Sequence, residues 1–370
     1  IQEAIAERTS RWDGNSYVDY AHHIMLAGEI PTDVLTSQVK EAVEAGFPSF
    51  KIFTTNIRPI NLLTESRMVG MGHLSALMEQ VRDSSGMLMV HSEDDDMVQY
   101  MYKKLTEEER IEWWNMHLVH SNMSEDVSFR RVLRVAEWTG SPVYFVHVSA
   151  KEGIEAIREA RAKGMPIYGE TLHNYVTFNA DNYKEPDGMR YHTYPSLKSE
   201  EDRQALWNGL MGGGLNCIAT DEYCTTWAQK IQGRTILDVT GGHSGIETRM
   251  GITYSEGVCK RGMSLQRFVS VTSANAAHIM GLYPRKGAIA PGSEADIVLI
   301  DPSRRKRLTK DDLHIGDYSI WENFEIQGWP VTTILRGNVM VEGGTLLGTL
   351  GDGRFLLRKV DSTVLNRPTY

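Results

Sequence analysis

Ionisable side chains seldom sit inside a sheet without a partner, so the apolar runs that carry one constrain this chain more than any other feature. The stretch Ser49-Phe50-Lys51-Ile52-Phe53 is β-prone and apolar on both sides of its lysine, which reads as a buried strand. Two later runs end in histidine, Met87-Leu88-Met89-Val90-His91 and Val143-Tyr144-Phe145-Val146-His147. A fourth, Leu215-Asn216-Cys217-Ile218-Ala219-Thr220-Asp221, ends in a carboxylate. One lysine, two histidines and one aspartate on separate strands are the parts of a metal site at one rim of a parallel barrel. The expected ligands are Lys51, His91, His147 and Asp221.

Helical patterns lie between these runs, over 1–11, 31–44, 71–84, 124–139, 151–163, 200–209, 248–260 and 264–281. Further strands are expected at 16–22 and 166–170. Strand–helix alternation implies a parallel sheet, and polar groups at strand ends imply an α/β fold of the (β/α)8 TIM-barrel type with its site at that rim. About six such units are visible, whereas closure takes eight strands. The expectation is that roughly a hundred residues of N-terminal barrel and strand lie outside this sequence. After Pro284 the pattern changes to short β segments broken by glycine, over 287–301 and 331–348, which read as a small β-sandwich. The expected division is barrel 1–284, β domain 285–350 and C-terminal extension 351–370.

The net charge is −9 and there is no basic run, which argues against a nucleic-acid partner. No apolar run approaches the ~18 residues of a membrane span. Cys217, Cys224 and Cys259 are too few and too unpatterned for a disulfide framework, which fits a reducing cytoplasm. With no CxxC pair, a metal here would take N and O ligands. Asp221 has a competing reading as a helix N-cap. The run Glu93-Asp94-Asp95-Asp96 looks like a metal site but reads better as the cap of a solvated helix start. His117, His120, His173, His192 and His314 end no expected strand and read as structural or exposed. His243, in a Gly-rich loop, is open to either a structural or a ligand-facing reading.

Phe50-Lys51-Ile52-Phe53, Val90-His91-Ser92-Glu93, Val146-His147-Val148-Ser149 and Ala219-Thr220-Asp221 together resemble the cyclic amidohydrolases, specifically the dihydropyrimidinase and D-hydantoinase branch. Gly281-Leu282-Tyr283-Pro284-Arg285-Lys286-Gly287, Pro291-Gly292-Ser293-Glu294-Ala295-Asp296 and Gly328-Trp329-Pro330-Val331 follow in family order. The resemblance implies two divalent metal ions, most often Zn2+, and a CO2-derived carbamate on Lys51 that bridges them. It places His91 and His147 on one ion, and Asp221 on the other and as general base. It implies hydrolysis of a cyclic amide by metal-activated hydroxide, opening a hydantoin or dihydropyrimidine-type ring to an N-carbamoyl amino acid, in a homotetramer. Tyr194 and Gly241 fall where the family holds the ring amide by main-chain groups.

Three departures accompany the resemblance. The His-x-His pair of the family's first strand has no counterpart, since His22 and His23 are adjacent and lie later. Asn56 stands where the family has a substrate tyrosine. The loop Thr240-Gly241-Gly242-His243 replaces Asn-Gly-Gly and is closer to allantoinase-like relatives. The alternatives are therefore an allantoinase-like or cyclic imide hydrolase, and a non-catalytic dihydropyrimidinase-related scaffold protein, which would have no need of the four ligand residues.

Overall fold

Six parallel strands form one sheet in strict chain order in the computed structural model, which describes residues 1–314 and 316–369. They are β1 (Ile24–Met25), β2 (Ser49–Phe53), β3 (Met87–His91), β4 (Val143–Phe145), β5 (Ile167–Leu172) and β6 (Cys217–Ala219). Outside the sheet lie α1 (Gln2–Trp12), α2 (Thr32–Glu44), α3 (Met71–Asp83), α4 (Asp95–Glu107), α5 (Met116–Val119), α6 (Asn122–Thr139), α7 (Lys151–Ala162), α8 (His173–Thr177), α9 (Glu200–Gly212) and α10 (Trp227–Lys230). This is the wall of a TIM-type barrel.

The central strands β3 and β4 are buried on both faces, which is why their runs are apolar throughout rather than alternating. Phe50, Ile52, Leu88, Val90, Val143, Phe145 and Ile167 face outward and pack with Leu35, Val39, Leu74, Val132 and Ile157 of the surrounding helices. Burying such a side chain stabilises by about 1.5–3 kcal/mol. Register places Lys51, Met89, Tyr144 and Tyr168 in one inward layer. Lys51 thus sits in the middle of β2 rather than at its end.

Local signals set the helix ends. α6 starts where Ser121 Oγ accepts the Ser124 amide and stops at Gly140, whose φ of 74° is left-handed. α9 opens on a reciprocal cap between Ser199 and Asp202. It runs three residues past the expected end at Gly209, where an added Cβ would sit tightly against the Leu215 side chain at 3.2 Å.

The expected strand over 16–22 is not part of the barrel. Tyr20 instead makes a single parallel bridge with Phe355, and Asp19 is held by Lys286 and Arg336. Those bonds draw the segment toward the C-terminal chain. The expected helices over 248–260 and 264–281 form, but with wide π turns at Tyr254–Cys259 and Ser270–Ala274.

A second, antiparallel sheet has the order β10-β9-β8-β7, from β7 (Ile297–Arg307), β8 (Glu325–Leu335), β9 (Asn338–Glu342) and β10 (Thr345–Leu346). β7 starts later and ends later than expected, and β8 begins before Val331 because register shifts near Leu299 and Asp301 absorb its irregular residues. The described strands make one antiparallel layer of the expected small β domain. The sheet docks on the barrel at Gly328, where an added Cβ would lie 2.3 Å from the Tyr254 ring.

Residues after 350 are more than an extension. Val360 and Val364 pack into the inward cluster with Met87, Met89, Tyr144 and Tyr168. Tyr168 Oη donates to Val364 O at 2.7 Å, closing the N-terminal end of the barrel. Among the described residues no helix is long and apolar enough to cross a membrane.

Candidate active site

His91 closes β3, and His147 lies two residues beyond β4. Their rings meet with Nδ1 of His91 2.9 Å from Nε2 of His147. Behind them Glu93 Oε2 lies 2.8 Å from His91 Nε2, and Glu93 Oε1 lies 2.9 Å from His120 Nδ1. Tyr102 Oη continues the chain 3.2 Å from His120 Nε2. Burial alone would raise the Glu93 carboxyl, but His120 and His91 hold it well below the usual carboxylate range. Burial also lowers His91, against the pull of Glu93, and lowers His147, with His91 adding to the effect. A carboxylate on Nε2 of His91 takes the ring proton there and leaves Nδ1 as a lone pair. His147 Nε2 lies within hydrogen-bonding distance of that nitrogen. Two adjacent imidazole nitrogens, one ring with a carboxylate behind it, are donors of the type that a divalent metal takes.

The β2 and β6 strands supply the opposite side. Lys51 is half-buried, and burial pushes its ammonium below the ordinary value against the attraction of Asp221 and Glu170. Burial lifts Glu170 to about 7, although it accepts Tyr144 Oη at 2.6 Å. Asp221 lies two residues past β6 and is exposed at the rim. His147 and Asp221 both have left-handed backbones, with φ of 41° and 46°. Non-glycine residues hold that conformation at a cost of order 1–3 kcal/mol, and it gathers at functional positions. Lys51 and Asp221 are oxygen and nitrogen donors of the right chemistry for a second ion, but without the His-x-His pair. His23, the nearest candidate in sequence, meets Ser49 Oγ at 2.7 Å at the start of β2, the end away from His91.

Two loops form the mouth. Lys230 is fully buried, and its Nζ donates to His192 O, Thr240 O and Gly242 O at 2.7, 2.7 and 2.6 Å. Gly242 N donates to His192 O at 3.1 Å. A Cβ on Gly241 would lie 2.4 Å from the Tyr194 ring, so only glycine fits there. Asn56 is buried, with its amide spent inside its own loop: Oδ1 accepts Arg67 N at 2.9 Å and Nδ2 donates to Ser66 Oγ at 3.2 Å. It staples the loop rather than presenting its side chain to the mouth.

The structure thus brings Lys51, His91, His147 and Asp221 to one region of the rim, with Tyr194 and Gly241 in mutual contact. The acidic run divides. Asp94 caps α4 by accepting Met97 N at 3.2 Å, and Asp95 accepts Asn56 N at 2.7 Å, but Glu93 is turned inward onto His91 and His120. His173 follows β5 directly, because that strand runs to Leu172 rather than stopping at 170. It is buried, stacked on Trp321 at 4.4 Å and 3.3 Å from Ala219 O, and so braces the β6 end. His243 is buried beside Trp321. Lys230 escaped the sequence reading, and Glu93 was read there as part of a helix cap; its spacing two residues after His91, on the same face of an extended chain, was the available signal for its inward role.

A sequence profile of the Amidohydrolase family matches residues 145–340. The D-hydantoinase of Ralstonia pickettii is 31% identical over 367 residues, covering 96% of this chain and 78% of that protein. The D-hydantoinase of Geobacillus stearothermophilus is 30% identical over 363 residues, covering 97% and 75%. Among solved structures, the dihydropyrimidinase from Brevibacillus agri NCHU1002 superposes with a TM-score of 0.91 at 28% identity, covering 97% of this chain and 78% of that one.

Proposed function

The chain belongs to the amidohydrolase family, in its D-hydantoinase and dihydropyrimidinase branch, and on that premise we propose that it is a metal-dependent hydrolase that opens a cyclic amide to an N-carbamoyl amino acid. The observation that carries the reading is the contact of His91 Nδ1 with His147 Nε2 at 2.9 Å, with Glu93 behind His91. In this reading His91 and His147 would hold one divalent ion and Asp221 a second, Lys51 would serve as a CO2-derived carbamate available to both, and the ions would be Zn2+. Once bound, they would polarise the ring carbonyl and acidify a water. Asp221 accepts the proton of the attacking water and delivers it to the leaving ring nitrogen. Its exposed place at the rim suits a group that must reach both. The main chain at Tyr194 and Gly241 holds the ring amide. Asn56 acts on ring choice only through the shape of the 56–67 loop, which leaves a hydantoin, a dihydropyrimidine, allantoin or a cyclic imide as the ring. By the same resemblance we infer a homotetramer, and from its sparse, unpatterned cysteines a cytoplasmic one.

The test is turnover of zinc-loaded protein on those four ring classes, with metal content measured alongside. Ring opening that stops on chelation is expected. Lys51→Ala should lose most bound metal, and Lys51→Arg should not restore it, because a guanidinium forms no stable carbamate. Inactivity on every ring with metal fully bound would favour a scaffold protein.

A further inference from the structure

We propose that Lys230 is the positioning residue for the substrate amide, fixing the relative orientation of the two main-chain segments that contain Tyr194 and Gly241. This rests on the reading of those segments as the ring-holding groups. Lys230 closes the short α10, is fully buried, and spends its three N–H donors on three carbonyls from two separate loops. No carboxylate accompanies it among the described ion pairs, and burial lowers its ammonium well below the ordinary value. A buried cation compensated only by carbonyl dipoles is a costly way to join two loops.

The geometry explains what it achieves. A peptide unit is planar, with C=O and the following N–H pointing opposite ways. Drawing Thr240 O toward Lys230 turns the Gly241 N–H away from it. Drawing Gly242 O inward does the same for the next peptide but one. His192 O is fixed by both Lys230 and Gly242 N, which sets the chain two residues before Tyr194. The Gly241 backbone then lies against the Tyr194 ring so closely that a Cβ would not fit. The chemical class this recognises is a ring amide or imide, whose cis geometry presents N–H and C=O side by side to groups held at fixed spacing.

Lys230→Met keeps the length of the side chain and removes its donors. With zinc-loaded protein and whichever ring the wild type opens, KM should rise about 10- to 100-fold while kcat changes less than about threefold. Metal content should be unchanged. Hydrogen exchange at the amides of 241 and 242 should accelerate, which reads the clamp without any turnover. Lys230→Arg retains charge but not three convergent single donors, and should raise KM as well; it carries the test should the methionine variant fail to fold. Wild-type KM and wild-type exchange in a folded variant would overturn the proposal. An inactive wild type whose loop exchange still accelerates in Lys230→Met would overturn the hydrolase reading and uphold the clamp. An inactive wild type with unchanged exchange would overturn both.

Discussion

On the β3–β4 side of the rim, His91, Glu93, His120 and His147 are 0–3% exposed and linked ring to carboxylate to ring. On the β6 side Asp221 is exposed, and its surroundings are set by main-chain bonds, as where Glu222 Oε2 accepts the amides of Gly245 and Ile246 at 2.5 and 2.7 Å. One half is a preorganised side-chain network, in which each group limits the freedom of the next. The other is a backbone-built loop that leaves the Asp221 carboxylate open to solvent. A site that must hold an ion tightly and also shuttle a proton benefits from this division.

The largest expected effect breaks the exposed half. Asp221→Asn preserves size and removes the base, so kcat should fall by ~10²–10⁴. The melting temperature should stay put, since the residue is exposed. Near-normal turnover would reduce Asp221 to a helix cap. In the rigid half, Glu93→Gln keeps the shape but supplies a neutral partner to two imidazoles. Metal affinity, read by chelator competition, should drop by about 10- to 100-fold, the cost of losing a support behind a ligand. An unchanged affinity would show that the two rings need no carboxylate.

The smallest effect sharpens the comparison behind His147. Glu125 accepts the amides of Ser149 and Ala150 at 3.1 and 3.0 Å, and burial pushes it up to about 7 from an ordinary 4.5. A carboxyl raised on folding means that the folded state binds more protons than the unfolded one across that window. Its contribution therefore declines as pH rises from about 4.5 to 7. Glu125→Gln keeps both amide bonds without the titration. The stability difference should move in the variant's favour by on the order of 1–3 kcal/mol between pH 5 and 8. Parallel pH–stability curves would refute this.

The barrel wall was legible because two-sided burial writes itself as long apolar runs, so β2, β3 and the residues at their rim stood out. His147 and Asp221 were legible by type, but not as left-handed residues beyond their strands, since φ leaves no mark on side-chain pattern. Glu93 was misread because a carboxylate at a helix start is usually a cap, and only the fold shows that this one turns inward while Asp94 does the capping. His173 was hidden by a strand two residues longer than its apolar core. Lys230 looked like any solvated lysine in a polar stretch, since its three partners are carbonyls and backbone acceptors are invisible in sequence. The segment 16–22 had strand composition, but its partner lies more than 300 residues away, at Phe355.

The packing of Val364 against Tyr168 has a consequence for biosynthesis. The two are 196 positions apart, and at ~5–20 residues per second translation takes about 10–40 s to bridge that interval. Throughout it, the inward face of the nascent wall, with Met87, Met89 and Tyr144, lacks its last apolar neighbours. The inward cluster is therefore completed only once the chain has been made as far as Val364, so the last step of its packing is late in synthesis.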